Sequence, residues 1–167
     1  MTAGPLGGYA KRMNSPAAPR LVYFADVSVQ VGQPQEVGQT VRGRRRLIPI
    51  LGGKATGHGW TARVLPGGAD FQLLVSERVA ELDARYVMET DGGDMIYVQN
   101  RAIRSGPADL MARLVRGEPV DPAQIYFRCS PSFETASPAL AWITERMFAG
   151  SGVRHPDRVV MQFYELA

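Results

Sequence analysis

Short runs of alternating apolar and polar residues dominate the chain from Leu21 onward and predict β-strands. In the first run, Leu21 to Val31, the residues Val27 and Val29 alternate with polar neighbours. A period of two places the apolar side chains on one face of a strand. Further strands are predicted at 45–51, 60–65, 71–75, 79–90, 95–103, 125–130, 140–148 and 159–166. In the strand at 45–51, Pro49 predicts an edge, a bulge or a break. The polar segment 32–43 is predicted to be a loop.

One segment, Pro107 to Arg116, has helical periodicity instead. Pro107 suits the first turn of a helix, Gly117 suits its end, and the apolar residues between them form a stripe. Many strands at close intervals with one short helix indicate an antiparallel barrel or sandwich. Residues 1–20 are rich in Gly, Pro, Ala and Ser and predict a flexible N-terminal tail, which leaves 21–167 as a single domain.

Residues 63–101 are expected to form three consecutive strands with polar chemistry on one face. With turns at Ser76-Glu77 and Gly92-Gly93, that face would carry Asp70, Gln72, Glu81, Asp83, Arg85 and Asn100. The opposite face would carry Phe71, Leu73, Leu82, Ala84, Tyr86, Met88 and Tyr97. The polar face is either a solvated outer surface or the floor of a binding cavity, and the cavity is our working interpretation.

Neighbouring carboxylates raise one another's pKa, whereas an arginine lowers it, so such a face can supply one acid and one base at neutral pH. In the cavity interpretation, Asp83 or Glu81 moves a proton. Arg85 and Arg128 hold negative charge, and Asp70 or Asn100 orients the substrate. The candidate substrate-binding residues are Arg128, Asn100, Tyr97, Tyr126, Gln72 and Trp142. Tyr97 joins this set only if the predicted register is wrong by one residue.

Composition narrows the possible partners. The single Cys129 excludes an internal disulfide, and with only His58 and His155 beside it no zinc site and no cofactor are expected. No apolar run approaches a membrane span and no secretion signal opens the chain, so no membrane partner and a cytoplasmic location are expected. The arginine residues of segment 42–46 could bind phosphate groups. The net charge of the chain is only +3, however, and solvent-exposed arginines at the start of a strand explain this cluster better. We therefore expect no nucleic-acid partner.

Several longer motifs carry a family resemblance. They are Gly43-Arg44-Arg45-Arg46, Ile48-Pro49-Ile50, Gly52-Gly53, residues 64–70, residues 80–86, Ile96-Tyr97-Val98, Asn100-Arg101 and Tyr126-Phe127-Arg128. From about Leu21 to the C-terminus, the chain resembles the domain of unknown function 3237 family of small bacterial and fungal proteins. This resemblance implies a closed antiparallel β-barrel of about eight to nine strands, similar to allene oxide cyclase and dirigent-type barrels. It implies no settled activity, although barrels of this type often guide a cyclisation, isomerisation or elimination without a cofactor.

Three functional hypotheses follow. The leading one is a cofactor-independent lyase, isomerase or cyclase that acts by acid–base chemistry on a small, partly apolar molecule bearing a carbonyl or carboxylate. The second is a non-catalytic carrier or sensor of the same kind of ligand, since binding needs only a concave cavity with a few polar anchors. The third is a structural barrel whose polar face forms the interface of a homo-oligomer.

Overall fold

The computed structural model describes residues 16–167, and within this range ten strands form one antiparallel sheet. The strands are β1 (Leu21–Val31), β2 (Gln35–Thr40), β3 (Gly43–Gly57), β4 (Trp60–Val64), β5 (Ala69–Leu74), β6 (Val79–Thr90), β7 (Met95–Ser105), β8 (Tyr126–Thr135), β9 (Phe148–Arg154) and β10 (Arg158–Leu166). The predicted tail, residues 1–20, lies mostly outside the described residues.

The sheet closes on itself because β1 pairs with β10 on one side and with β3 on the other. The ring runs β1-β10-β9-β8-β7-β6 and returns to β3 through β4 and β5, each of which pairs with both β6 and β3. Eight strand positions therefore form the closed barrel, and β2 extends it beside β3. The prediction of a closed antiparallel β-barrel is confirmed.

Two predicted elements are wrong. Strand β2 lies inside the segment predicted to be a loop, and residues predicted as a strand at 140–148 form mainly a 3₁₀ helix, Pro138–Glu145. The missed strand β9 follows that helix, and its glycines hide its β-pattern. A Cβ at Gly150 would lie 2.6 Å from the Gln162 carbonyl oxygen, and one at Gly152 would lie 2.8 Å from the Phe127 ring. Close packing therefore requires glycine there, at the expense of strand propensity.

The long strand β3 changes partners in its middle, and Pro49 lies at the point of exchange. Before it, β3 pairs with β2 and β5; after it, β3 pairs with β1 and β4. Gly53 then brings β3 close to β1, because its φ is +144° and a Cβ there would lie 2.1 Å from the Ser28 carbonyl oxygen.

The two ends of the barrel differ in chemistry. Near one end, Phe24, Phe133 and Phe148 pack together with ring centroids 4.9–5.4 Å apart. Near the other lies the predicted helix, α1 (Ala108–Val115), followed by a 3₁₀ turn at Pro122–Gln124. Met111 and Leu114 of α1 are buried. None of the helices within residues 16–167 is long and apolar enough to cross a membrane.

Candidate active site inside the barrel

Polar side chains lie inside the barrel near α1, among apolar residues. Arg46, Gln72, Asn100 and Arg104 are each at most 3% exposed, although residues of these types are seldom buried. Asp70 is partly exposed as a residue, but its carboxylate oxygen Oδ1 is buried. Burying such groups is costly unless they have a partner, so their position calls for a structural or a functional reason.

The register of the β5–β6 hairpin decides which residues reach this interior. Asp70 is paired with Ala84 and Leu74 with Ala80, so Asp70 and Gln72 share a face with the even-numbered residues of β6. The hairpin between β6 and β7 pairs Ala84 with Asn100 and continues the same face. In both hairpins the pairing between the strands is therefore shifted by one residue from the predicted pairing. A shift of one residue turns every side chain of β6 to the opposite face of the sheet.

Consequently the prediction that Asp70, Gln72, Asn100, Glu81, Asp83 and Arg85 share one face is wrong. The first three point into the barrel, and the last three point outward with the odd-numbered residues of β6. Of the predicted apolar face, Leu82, Ala84, Tyr86 and Met88 face inward, whereas Phe71 is exposed on the outside.

Asp83, predicted to be the principal acid, belongs to a satisfied outer ion pair. Its Oδ2 lies 3.1 Å from Arg85 Nη2, and its Oδ1 accepts a hydrogen bond of 3.0 Å from Gln99 Nε2. Partial burial alone would raise the pKa of Asp83, but the hydrogen bonds from Arg85 and Gln99 outweigh it and hold the pKa below its usual value. Asp83 is therefore ionised at neutral pH, and Glu81 is exposed beside it.

The remaining candidates also lie outside the interior. Arg128 and Tyr126 are exposed on β8, where the guanidinium stacks 5.2 Å from the tyrosine ring centroid. Tyr97 is half-buried on the outer face of β7, and Trp142 is 43% exposed on the 3₁₀ helix near the aromatic end. Of the predicted site, the structure thus brings Asp70, Gln72 and Asn100 together inside the barrel, whereas Glu81, Asp83 and Arg128 line a separate open pocket on its outer face.

A chain of hydrogen bonds fixes the Asp70 carboxyl group. Arg46 Nε donates to Gln72 Oε1 at 2.9 Å, and Gln72 Nε2 donates to Asp70 Oδ2 at 2.6 Å. Arg46 Nη1 also donates to the Val115 carbonyl oxygen at 2.9 Å, which ties this chain to the end of α1. One carboxylate oxygen is therefore held in place, while the other, Oδ1, has no protein hydrogen-bond partner.

Burial dominates the acidity of Asp70. Loss of solvation raises the pKa of this carboxyl group. The opposing effects of Gln72, Arg104, the nearby backbone N–H of Asp83 and Arg46 do not restore it. A carboxyl group of this kind holds a proton more readily than a surface aspartate does. It can consequently serve as an acid or a base closer to neutral pH.

Arg104 is the most deeply buried charged group, at 1% exposure. Burial lowers its pKa to about 10, so the guanidinium still carries its charge at neutral pH. The Phe127 ring lies 5.9 Å from the guanidinium carbon, yet Nε and Nη2 have no protein acceptor. Within residues 16–167, Arg104 forms no salt bridge with Asp70, although the two attract each other electrostatically.

The cavity among these groups has a volume of about 40 Å³. Its polar lining comes from Asp70, Gln72, Tyr86, Asn100, Arg104 and Arg154. Apolar residues such as Ile48, Val29 and Met161 line the rest. The Tyr86 hydroxyl and Asn100 Oδ1 are buried without protein partners, while Asn100 Nδ2 donates to Met161 Sδ at 3.3 Å. Such a space admits a few atoms, far less than the 300 Å³ or so of a typical metabolite pocket.

Sequence reasoning missed Arg46, Arg104 and Arg154. A signal for two of them was present. Side chains two residues apart in a strand point to the same face. Arg46 is two residues from the buried Ile48 in β3, and Arg104 is two residues from the buried Ala102 in β7, so both arginines are expected to face inward. No comparable signal marks Arg154, whose strand β9 was not predicted.

No group of three or more His, Cys, Asp or Glu residues in the described range 16–167 is placed to hold a metal ion. The chemistry that this site offers is that of a buried carboxyl group, a buried guanidinium and two further hydrogen-bonding groups.

Comparison with known proteins places this barrel among proteins of similar sequence and fold. A family model described as a protein of unknown function, DUF3237, matches residues 19–166. The UPF0311 protein of Rhodopseudomonas palustris is 45% identical over 144 residues, which cover 86% of this chain and 94% of the relative. A crystal structure of a protein of unknown function from the same organism has a TM-score of 0.85, at 42% identity, over 92% of this chain and all of the other.

Two further structures extend the comparison. A beta-barrel like protein from Acinetobacter baumannii AYE has a TM-score of 0.81 at 36% identity, over 93% of this chain and 100% of that chain. A structure described as an enzyme from Penicillium herquei has a TM-score of 0.68 at 16% identity, over 92% and 98% of the two chains. At that identity the likeness extends to the fold alone.

Proposed function

The chain belongs to the DUF3237 family, and we propose that it is a cofactor-independent lyase, isomerase or cyclase whose acid–base chemistry takes place inside the barrel. The substrate is a small, partly apolar molecule bearing a carbonyl or a carboxylate. One observation carries this proposal: the free oxygen of the buried Asp70 carboxyl group and the buried, unpaired Arg104 guanidinium belong to one cavity.

Asp70 transfers the proton. Its Oδ2 is held by Gln72, so Oδ1 remains available to a substrate atom. A raised pKa makes the carboxylate a stronger base than a surface aspartate, and burial keeps competing water away from it. This role, which the sequence suggested for Asp83 or Glu81, falls to Asp70 because the other two point outward.

Arg104 stabilises the negative charge that develops on the substrate oxygen. When a proton leaves the carbon next to a carbonyl group, charge accumulates on the carbonyl oxygen, and a fixed cation in a dry site stabilises it strongly. Tyr86 and Asn100 offer hydrogen bonds that orient the substrate. Arg104 thus takes the role first considered for Arg85 and Arg128.

A second candidate is a non-catalytic binding barrel, a carrier or sensor. The lining of the cavity favours it, because a few buried polar anchors among apolar side chains are enough for binding without any proton transfer. The barrel from Penicillium herquei, described as an enzyme, supports catalysis on this fold by analogy only. A cytoplasmic location and a small-molecule ligand are parts of this proposal.

Proton exchange tests the catalytic proposal without the natural substrate. The protein is incubated in D₂O with a panel of small keto acids and ketones, and loss of the proton next to the carbonyl group is followed by NMR. Asp70 would take the C–H proton, exchange it with solvent and return a deuteron to the same carbon. We expect at least one compound to exchange faster than in buffer, and Asp70→Asn to remove the excess rate.

Asp83→Asn is the matched control, since it changes the same group on the neighbouring strand's outer face. It should leave the exchange rate within about twofold of wild type. Exchange that survives Asp70→Asn but disappears with Asp83→Asn would refute the interior site. Ligand retention with no exchange for any compound would favour the carrier or sensor instead.

A further inference from the structure

Arg104 has an unusual pair of unsatisfied atoms. Nε and Nη2 lie on the same edge of the guanidinium plane and together form the fork that binds the two oxygens of a carboxylate. Both atoms are buried and neither has a protein acceptor. A single unsatisfied donor can result from imperfect packing, but an unsatisfied pair on one edge matches an oxyanion bound through two oxygens, a carboxylate or a phosphate.

The charge of the interior leads to the same kind of ligand. Arg46, Arg104 and Arg154 interact electrostatically with one another and with Asp70, the one acidic group that lines the cavity. Arg46 and Arg154 each donate to backbone carbonyl oxygens, and Arg46 also donates to Gln72. Glu36 and Asp157 partly offset the charges of Arg46 and Arg154, which leaves Asp70 as the one carboxyl group acting on Arg104. Because burial favours the neutral form of Asp70, the buried Arg104 guanidinium keeps a positive charge that a bound anion would compensate.

The volume of the cavity sets the size of the group that enters. About 40 Å³ is room for a small group of atoms, not for a whole metabolite. The fork and the charge of Arg104, together with the small and largely apolar cavity, favour a carboxylate head group whose apolar remainder extends toward the opening of the cavity. Val31, Arg154 and Val159 line the cavity and are each partly exposed, so the cavity approaches the surface among them.

We propose that the Arg104 fork binds the carboxylate of a small organic acid inside the barrel, so that the ligand class of this protein is a carboxylic acid with an apolar body. This inference rests on the proposed function for its location, but it does not depend on turnover. Asp70 then lies beside the bound acid, with Oδ1 free toward the carbon skeleton.

Binding of simple acids tests this inference directly. Formate, acetate and propionate are titrated into the protein by calorimetry at constant ionic strength, with acetamide as the neutral analogue of acetate and with phosphate as a larger anion. We expect acetate to bind with a Kd on the order of 1–10 mM. Acetamide should bind at least tenfold more weakly because it lacks the charge, and phosphate because its doubly charged, tetrahedral group is costlier to desolvate in this partly apolar cavity.

Two variants locate the site. Arg104→Lys keeps the charge but removes the fork, and it should weaken acetate binding by roughly tenfold to a hundredfold. Its matched control is Arg101→Lys, an exposed position on the outer face of the same strand, which should leave acetate binding unchanged. If Arg104→Lys fails to fold, Ala84→Val tests the same site by filling the cavity that Ala84 lines, and it should abolish acetate binding.

Each result has a definite meaning. The inference fails if no acid binds, if acetamide binds as well as acetate, if phosphate displaces acetate, or if Arg101→Lys is the variant that weakens binding. If acetate binding depends on Arg104 but no compound shows exchange that depends on Asp70, the carboxylate site stands and the proposed catalysis fails.

Discussion

Asp70 and Asp83 lie on adjacent strands, yet their carboxyl groups experience opposite environments. Burial raises the pKa of Asp70, whereas hydrogen bonds from Arg85 and Gln99 hold the pKa of Asp83 low. The two residues differ only in the face of the sheet from which they project. Stability as a function of pH should therefore distinguish them.

The contribution of Asp70 to the free energy of unfolding should decrease as pH rises, whereas that of Asp83 should increase. The neutral form of Asp70 is favoured in the folded state, so its contribution is fully present below the ordinary aspartate pKa of about 3.9 and is lost as pH rises through the folded value. Asp70→Asn should thus gain stability relative to wild type between about pH 4 and pH 8. Urea unfolding at a series of pH values measures this difference.

Asp83 provides the contrasting case. Its ionised form is favoured in the folded state, so its contribution is present above the ordinary pKa and is lost as pH falls through the lowered folded value. Asp83→Asn should therefore lose stability relative to wild type as pH rises toward about 4, and keep a constant deficit at higher pH, where the Asp70 variant is still changing. If both variants followed the same trend, the assignment of one carboxyl group to the interior would be incorrect.

Arg104 should reduce the stability of the fold that contains it. Replacing a complete buried ion pair with apolar side chains is often neutral or stabilising by about 1–4 kcal/mol. The same direction is expected for Arg104, because its Nε and Nη2 have no protein acceptor that the substitution would leave unpaired. We expect Arg104→Met to unfold at the same urea concentration as wild type or a higher one, while losing acetate binding. A marked loss of stability would show that Arg104 is a structural group rather than a ligand-binding one.

At the residue level, the sequence correctly placed three polar residues on one face of the sheet. Asp70, Gln72 and Asn100 were placed together because hairpins bring neighbouring strands side by side. Glu81, Asp83 and Arg85 of β6 were wrongly placed on the same face. The length of a turn, and not the pattern within a strand, decides which side chains of the next strand face inward. Both turns contain residues that allow more than one length, including Gly92 and Gly93.

Among the elements, β3 depends most on a single glycine. Gly53 has a positive φ, and a side chain there would collide with the backbone of β1 at Ser28. Gly53→Ala should therefore cost about 3 kcal/mol or more, the sum of backbone strain and displacement of β1. Chemical denaturation measures this cost.

Gly93 is the matched control for Gly53. Its φ is also positive, at +86°, but nothing lies within 4 Å of a Cβ built there. Gly93→Ala should cost only about 1 kcal/mol, the backbone contribution alone. Equal losses in the two variants would mean that the close approach of β3 to β1 contributes nothing.

The strands and the helix differed in how well their sequences indicated them. The bounds of β1 and β6 agree with the prediction because each has a clear alternation and turn residues at both ends. Helix α1 was predicted from its start and stop signals. Strand β9 was missed because it contains Gly150 and Gly152, which have low strand propensity. Glycine is needed there because neighbouring strands pack too closely for a side chain, and local propensity cannot show such long-range contacts.

For the molecule as a whole, closure of the barrel depends on the pairing of β1 with β10. The backbone of Arg20 exchanges two hydrogen bonds with Ala167, of 2.7 and 2.9 Å, so the two ends of the described chain lie side by side. Sequence periodicity left barrel and sandwich equally open. Pairing between strands more than 100 residues apart distinguishes them, and local patterns carry no record of it.

Circular permutation tests this closure. A chain in which Ala167 is joined to Pro16 by a short linker, with new ends between Gly92 and Gly93, should fold and unfold in one transition, because the hairpin tip is exposed. A second permutant opened between Ala102 and Ile103 cuts β7 between its two neighbours and should not fold. Thermal melts followed by circular dichroism compare the two.

Cys129 offers a way to time the opening of the barrel. It is the one thiol in the chain, it is 6% exposed, and a Cβ on Gly150 would lie only 2.9 Å from its sulfur atom. Burial raises the pKa of this thiol to about 11, so in the closed state it is both sealed and unreactive. The rate of labelling by a disulfide reagent would then equal the rate at which β8 and β9 separate. Each molecule would be labelled once, at its first opening, by forming a mixed disulfide at Cys129.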